Sequence, residues 1–140
     1  MRPLLFTLLL LMNFGFIACS QNSKSTEQKS TKPAYELASP KDFMTRMTNE
    51  PGVLLDVRTP SEQKKGILKG ATCLDIFSDD FEQSLQKLDK TKTYYVYCAA
   101  GGRSLEACET MQKIGFTHVV DLDGGITRWR NDGLPVEAGK

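Results

Sequence analysis

The chain has 140 residues, with 18 basic and 17 acidic side chains, and it carries almost no net charge. This balance excludes the strongly basic surface of a nucleic-acid-binding protein, so we expect no nucleic-acid partner. The length suffices for one domain with a modest hydrophobic core, and we expect that domain to be a monomer.

The N-terminal segment predicts export from the cytoplasm. Arg2 provides a short positive start, and the run from Leu4 to Met12 is apolar except for Thr7. The run is too short and too close to the terminus for a comfortable membrane-spanning helix. These features predict a secretory signal peptide over residues 1–18.

The end of this segment predicts a lipid anchor. Phe16-Ile17-Ala18-Cys19 resembles a bacterial lipobox, in which cleavage precedes the cysteine, so Cys19 is the expected site of lipidation. The alternative is an ordinary cysteine in a signal peptide that is cleaved elsewhere. An acylated Cys19 would hold the protein on a membrane of the bacterial cell envelope. Ser20 is consistent with sorting to the outer membrane. We expect the domain to face the periplasm, and the outer face is the alternative.

The next residues predict a tether. Between Ser20 and Pro33 the chain consists mostly of Ser, Gln, Asn, Lys and Thr, and such a segment buries too little apolar surface to fold. We therefore expect a lipidated and disordered stretch over residues 19–33 and a folded domain over residues 34–140.

Short apolar runs alternate with helical patterns through the rest of the chain. An edge strand at Tyr35-Glu36-Leu37 is followed by four predicted strands, at Val53–Val57, Ala71–Leu74, Tyr94–Tyr97 and His118–Leu122. Continuous apolar strands separated by helices favour a parallel sheet that is covered on both faces. The expected fold class is α/β, with a mainly parallel central sheet of about five strands.

The helices have recognisable start signals. Ser39 and Thr59 are expected N-caps because each precedes a proline, and Glu62 completes a capping box with Thr59. Two further helices are predicted over Asp79–Leu88 and from Ser104 to Ile114, and a short one follows the Gly124-Gly125 turn. On the helix that begins near Ser104, the expected buried stripe is Leu105, Cys108, Met111 and Ile114.

The most informative segment lies between the fourth strand and this helix. Cys98 ends the strand, and Gly101 and Gly102 let the backbone turn so that N–H groups point at the sulfur. The positive end of the helix dipole points at the same place, and Arg103 adds a permanent charge. This arrangement predicts a site that stabilises a thiolate, or an anionic adduct, on Cys98.

The length of the loop between Cys98 and Arg103 indicates which group this loop binds. Cysteine-based phosphatases have a loop that is longer by one residue, so the four residues between Cys98 and Arg103 fit one added sulfur better than a phosphoryl group. The chain from about Tyr35 to Val136 resembles the rhodanese family of sulfurtransferases. The matching motifs are Asp56-Val57-Arg58-Thr59-Pro60 with Glu62, Gly66, Gly70-Ala71, the Cys98 loop, Gly124-Gly125-Ile126 and Trp129.

The resemblance implies transfer of a sulfane sulfur through a persulfide on Cys98. The donor would be thiosulfate or a persulfide, and the acceptor a thiol or cyanide, with no metal or other cofactor required. The backbone of the loop would hold the persulfide, so the expected binding residues are Ala99, Ala100, Gly101, Gly102, Arg103 and Ser104. An alternative is a persulfide carrier with little turnover of its own.

Several residues keep two interpretations. Arg58 either points into the site as a further binding residue or forms a structural ion pair, which we favour for Asp56 as well. Cys73 is expected to be buried, although it could instead resolve an oxidised Cys98, and Cys108 is expected in the core. Ile67 stands where many family members carry a histidine, a difference that we expect to alter packing more than chemistry.

Overall fold

The computed structural model describes residues 35–139, so the predicted signal peptide, Cys19 and the tether lie outside the described residues. Five strands and five helices alternate. In chain order they are β1 (Tyr35–Ala38), α1 (Pro40–Asn49), β2 (Val53–Asp56), α2 (Pro60–Gln63), β3 (Thr72–Cys73), α3 (Phe81–Gln86), β4 (Thr93–Tyr97), α4 (Gly102–Lys113), β5 (His118–Leu122) and α5 (Gly125–Asn131). Between residues 35 and 139, no helix is long and apolar enough to cross a membrane.

All five strands run parallel, in the order β1-β5-β4-β2-β3. β4 lies at the centre, between β2 and β5, so its carboxyl end is flanked by the loops that follow both neighbours. Ligands of open parallel sheets bind at this edge, because the loops that can hold them converge there. The predicted α/β class and the parallel five-stranded sheet are confirmed.

Helices cover both faces, because consecutive strand residues point to opposite sides. Tyr94 and Val96 pack with the helices α3 and α4, whereas Tyr95 and Tyr97 pack with α1 and α5. Apolar side chains on both sides explain why the strands read as continuous apolar runs. Trp129 lies in the second cluster, so its prediction as a core residue is confirmed.

The predicted buried stripe of α4 was partly wrong. Cys108 and Met111 are buried, but Leu105 is 39% exposed, and Ser104 and Ala107 occupy the buried face in its place. Successive helix residues are rotated by about 100°, so the stripe that contains Ser104 leaves Leu105 to one side of it. The sheet contacts α4 through small side chains at its first turns, and the helix can therefore lie close to β4.

Cys73 was expected to be buried, and this was also wrong. β3 is an edge strand of two residues, and both of its side chains are exposed. Ile67, by contrast, is 5% exposed and pairs its backbone with Glu137, with N···O distances of 3.0 and 2.8 Å. Ile67, which stands where many family members carry a histidine, therefore has a packing role.

Candidate active site

Cys98 directly follows the central strand β4 and is only 1% exposed. Its Sγ accepts a hydrogen bond from the backbone N–H of Gly101, with an N···S distance of 3.1 Å. Gly101 has φ = +104°, a left-handed conformation in which a side chain would be strained. The turn that the sequence predicted thus aims an amide at the sulfur at the start of α4.

Two carbonyl groups at the start of the same loop, those of Cys98 and Ala99, accept hydrogen bonds from α5. The N–H of Ile126 donates to the Cys98 carbonyl at 2.9 Å, and that of Thr127 donates to the Ala99 carbonyl at 3.0 Å. These N–H groups belong to the first turn of α5 and would otherwise lack helical partners. The first turn of α5 therefore fixes the start of the loop through its carbonyl groups, while the Gly101 amide faces the sulfur.

Gly125 makes this close approach possible. It has φ = +58°, and a Cβ atom built there would lie 2.5 Å from the Cys98 carbonyl oxygen. The sequence indicated only a turn at Gly124-Gly125. The available signal was a pair of glycines after β5, a strand that neighbours β4 in the parallel sheet, but the strand order was needed to interpret it.

The predicted loop residues have different environments. Ala99 and Gly101 are half-buried, whereas Ala100 and Gly102 are exposed at the opening of the loop. Ser104 is fully buried, and its hydroxyl donates to the Gly101 carbonyl at 3.0 Å. The Ser104 side chain therefore stabilises the left-handed turn at Gly101 from within the first turn of α4.

Arg103 forms a two-pronged ion pair across the opening of the site. Its two terminal nitrogens lie 2.7 Å from the two carboxylate oxygens of Glu62, the third residue of α2. The guanidinium carbon also lies 5.7 Å from the centre of the Phe77 ring. The sequence placed Glu62 in a capping box and in the family motif that begins at Asp56, but it did not predict the contact of Glu62 with the Cys98 loop.

This ion pair perturbs both partners. Arg103 holds the pKa of Glu62 down to about 2, and hydrogen bonds from Thr59 contribute in the same direction. Glu62 in turn raises the pKa of Arg103 above its ordinary value, as do the nearby charges of Cys98 and Asp75. The pair is therefore fully charged throughout the physiological pH range.

Arg58 does not present its guanidinium to Cys98. It is 3% exposed and pairs with the buried carboxylate of Asp56, at a distance of 2.5 Å. The same nitrogen donates to the Gly66 carbonyl at 2.8 Å, and the hydroxyl of Tyr97 donates to Asp56 at 2.7 Å. A binding role for Arg58 is wrong on these contacts, because its donors are already engaged in the structural ion pair that we favoured.

A second buried acid lies on the α4 face of the sheet. Asp121 of β5 is 1% exposed, and its Oδ1 has no hydrogen-bond partner among the described residues. Burial raises its pKa to about 6, an effect that Ser104 partly offsets. Burial also raises the pKa of Cys108 strongly, and Asp121 adds to this shift. Cys108 is thus a core residue, as predicted, and stays a thiol at neutral pH.

Comparison with known proteins identifies the family. The model of the rhodanese-like domain matches residues 39–132, and the chain belongs to this family. A sulfurtransferase of Allochromatium vinosum is 34% identical over 86 residues, which cover 61% of this chain and 78% of that protein. The chloroplastic thiosulfate sulfurtransferase 16 of Arabidopsis thaliana is 34% identical over 94 residues, covering 60% of this chain and 78% of that protein.

Solved structures agree with the family assignment. The crystal structure of a rhodanese-related protein from Thermoplasma volcanium superposes with a TM-score of 0.66 at 30% identity, covering 74% of this chain and 99% of that one. A rhodanese-like domain protein from Staphylococcus aureus gives a TM-score of 0.62 at 25% identity, covering 73% and 98%. The fold is therefore that of a single rhodanese-like domain, with sulfurtransferases among its relatives.

Proposed function

We propose that the protein is a sulfurtransferase that carries a sulfane sulfur as a persulfide on Cys98. The donor is thiosulfate or a persulfide, and the acceptor is a thiol, or cyanide in an assay. The observation that carries the proposal is the amide of Gly101, which lies 3.1 Å from the Cys98 sulfur at the positive end of α4. Such a donor stabilises negative charge on sulfur, whether on the thiolate or on its persulfide.

The proposed reaction needs no external oxidant. The Cys98 thiolate attacks the outer sulfur of the donor, forming the Cys98 S–S bond while the donor's own S–S bond breaks. Its electron pair leaves with sulfite if the donor is thiosulfate, or with a thiolate if the donor is a persulfide. An acceptor thiolate then attacks the outer sulfur of the Cys98 persulfide, forms a new persulfide and regenerates the Cys98 thiolate.

Intact-mass measurement tests this proposal directly. The reduced full chain is incubated with thiosulfate or with cysteine persulfide, beside the variants Cys98→Ser and Cys73→Ser. We expect one added sulfur on the wild type and on Cys73→Ser, removable by cyanide, and none on Cys98→Ser. Because Cys73 is the exposed cysteine of the described domain, it is the matched control. A sulfur adduct that persists on Cys98→Ser would contradict the assignment.

The carrier alternative is favoured by the plain side chains of the loop. Ala99 and Ala100 offer methyl groups at the opening, where a charged or polar side chain could have contacted a small donor. In that case, single-turnover loading would occur without a useful steady-state rate, and a partner protein would supply or remove the sulfur. Comparing the loading rate with the rate of continuous thiocyanate formation from cyanide separates the carrier from the enzyme.

We further propose that Cys19 is acylated, so that the domain works from a membrane of a bacterial cell envelope, on the periplasmic side. The proposal rests on the lipobox-like Phe16-Ile17-Ala18-Cys19 after the apolar N-terminal run.

A further inference from the structure

Phe77 is an exposed aromatic side chain at the edge of the Cys98 site. Its ring is 68% exposed, which makes it the most exposed of the large apolar side chains between residues 35 and 139. The centre of the ring lies 5.7 Å from the guanidinium carbon of Arg103, next to the opening of the loop. Aromatic rings in such positions are common anchors of protein–protein interfaces, because covering them removes a large apolar area from water.

The ring is presented by a rigid turn. The backbone N–H of Phe77 donates to the carboxylate of Asp75 at 2.9 Å, and that of Ser78 donates to the Asp75 carbonyl at 3.1 Å. The N–H of Ile76 donates to the Val57 carbonyl at 3.3 Å, which attaches the turn to the residue after β2. A ring whose backbone is already fixed loses little conformational entropy when a partner covers it.

The turn belongs to an acidic segment, residues 75–82. This segment has no lysine, arginine or histidine, and it contains four acids, which are Asp75, Asp79, Asp80 and Glu82. The last three are exposed. Lys87, at the end of α3, acts electrostatically on Asp80 and compensates part of this charge. The acidic segment therefore keeps a net negative charge.

The groups next to the acidic segment leave its negative charge in excess. Asp75 acts electrostatically on Arg103, so the segment reaches the edge of the opening. The charge of Arg103 is already balanced by Glu62, whose carboxylate oxygens lie 2.7 Å from its terminal nitrogens. Glu106 is exposed and follows Arg103 by one turn on the same side of α4. The surface beside the opening thus combines an exposed aromatic ring with an excess of carboxylates.

We propose that the acidic segment and Glu106 form a docking surface for a protein whose sulfur-accepting cysteine is flanked by lysine or arginine side chains. The inference rests on the proposed function and names the class of acceptor for the Cys98 persulfide. The basic side chains of such a partner complement the carboxylates of the docking surface. An apolar part of the partner covers the Phe77 ring.

The chemistry of the acceptor favours the same kind of partner. Lysine or arginine beside a cysteine lowers the pKa of its thiol, so that more of it is thiolate at neutral pH. The thiolate is the form that attacks the sulfur of a persulfide. Ala100 and Gly102 are exposed at the opening of the loop and leave room for an incoming protein cysteine. The basic side chains thus direct the partner to the docking surface and also activate its acceptor.

The transfer needs no further reactant. The partner's thiolate attacks the outer sulfur of the Cys98 persulfide, and an S–S bond forms on the partner. The bond between that sulfur and Cys98 breaks, and its electron pair remains on Cys98 as a thiolate. A proton on the outer sulfur of the persulfide stays with the transferred sulfur.

Peptide acceptors test the docking surface. The full chain is first loaded on Cys98 with thiosulfate or cysteine persulfide. Loss of the sulfur is then followed by intact mass with the peptides Lys-Leu-Lys-Cys-Lys-Leu-Lys and Glu-Leu-Glu-Cys-Glu-Leu-Glu. The quantity compared is the ratio of the lysine-peptide rate to the glutamate-peptide rate. The intrinsic reactivity of each peptide thiol is the same for every protein variant, so a change in this ratio reports on the protein surface.

The charge variant combines Asp79→Asn with Glu82→Gln, which removes two exposed carboxylates of the docking surface. The matched control combines Glu109→Gln with Asp132→Asn, which removes two exposed carboxylates elsewhere. At low salt, we expect the ratio to fall about fivefold in the charge variant and to keep its wild-type value in the control. At high salt, the ratios of the wild type and the charge variant should converge, because exposed charges are screened.

Phe77→Ala tests the apolar part of the docking surface. We expect the concentration of lysine peptide that gives the half-maximal rate to rise about fivefold. Leu37→Ala is the control and should leave this concentration unchanged, because Leu37 is 61% exposed but lies on β1, at the other edge of the sheet. An equal effect of the two substitutions would contradict a role of the Phe77 ring in docking.

The inference and the proposed function fail in different ways. A low-salt ratio for the charge variant within about 1.5-fold of wild type would overturn the docking surface while Cys98 still takes up and releases sulfur. If Cys98 takes up no sulfur from thiosulfate or from cysteine persulfide, the proposed function itself is refuted, and the docking surface with it.

Discussion

The buried acids of this domain show how neighbours decide the role of a side chain. Asp56 and Asp121 both lie in the sheet and are both almost fully buried. Asp56 is paired with Arg58 and accepts from the Tyr97 hydroxyl, whereas one oxygen of Asp121 has no partner in residues 35–139. A buried charge without such partners is costly, so burial raises the pKa of Asp121 to about 6.

Asp121 therefore gives a prediction for stability against pH. In the folded state it binds its proton up to about pH 6, whereas in the unfolded state it releases it near its ordinary value of 3.8. The folded state thus holds more protons over this window, and the stability contributed by Asp121 falls as the pH rises through it. Relative to wild type, Asp121→Asn should gain on the order of 2 kcal/mol between pH 4 and pH 8.

Urea unfolding at pH 4, 6 and 8 checks this expectation. Asp132→Asn is the control, because Asp132 is exposed at the end of α5 and its substitution should leave the pH profile of the wild type intact. If the stability difference between Asp121→Asn and wild type is the same at all three pH values, Asp121 does not titrate as its burial implies.

At the scale of elements, the site is a junction of three loops that follow neighbouring strands. The loop after β4 provides Cys98, the segment after β2 provides Glu62, and α5 after β5 holds the carbonyls of Cys98 and Ala99. The contact of α5 with the loop has so little space that a methyl group on Gly125 would overlap backbone atoms. Close packing of the α5 backbone against the backbone of Cys98 and Ala99 therefore fixes the Cys98 loop.

Gly125→Ala should disrupt this junction. Its left-handed φ of +58° is unfavourable for alanine, and the added Cβ would come within 2.5 Å of the Cys98 carbonyl oxygen. Together, strain and overlap should destabilise the domain by about 3 kcal/mol and slow persulfide formation. The measurements are urea unfolding and the rate of Cys98 loading.

The control variant Gly133→Ala separates backbone strain from overlap with the Cys98 loop. Gly133 has a similar φ of +73°, but nothing lies within 4 Å of a Cβ atom built there. This variant should lose about 1 kcal/mol from backbone strain alone and load Cys98 at the wild-type rate. Equal effects of the two substitutions would mean that the contact between α5 and the loop does not hold the site.

At the scale of the whole molecule, the N-terminal sequence predicts where the domain works. The lipobox-like segment predicts acylation of Cys19, and the polar composition of residues 19–33 predicts a tether behind it. A tether of this length would let the domain move on the order of 20 Å from the membrane surface. Its sulfur donors and acceptors would then be those available in the periplasm.

Metabolic labelling tests the anchor. When the full chain is expressed in a bacterium with an alkyne-tagged palmitate, the wild type should incorporate the label and Cys19→Ala should not. Cys73→Ala, which removes an exposed cysteine of the folded domain, should be labelled like the wild type. Absence of label on the wild type, or label on Cys19→Ala, would remove the proposed anchor.

The sequence by itself determined the fold class, the strands and the reactive loop. Continuous apolar runs at regular intervals are typical of a parallel sheet, and the Cys98 loop contains its glycines and arginine within a few consecutive residues. Such local patterns depend on residues that are close in the chain. For the same reason, the turn at Gly101 and the core position of Cys108 could be predicted without the structure.

Only the tertiary structure decided which distant groups meet around the Cys98 loop. Glu62 is 41 residues from Arg103, and it reaches Arg103 because β2 lies next to β4 in the sheet. Likewise, the approach of Gly125 to the loop depends on β5 lying on the other side of β4. Strand order and the rotation of α4, which exposes Leu105, result from packing the whole core, and no short stretch of sequence contains that information.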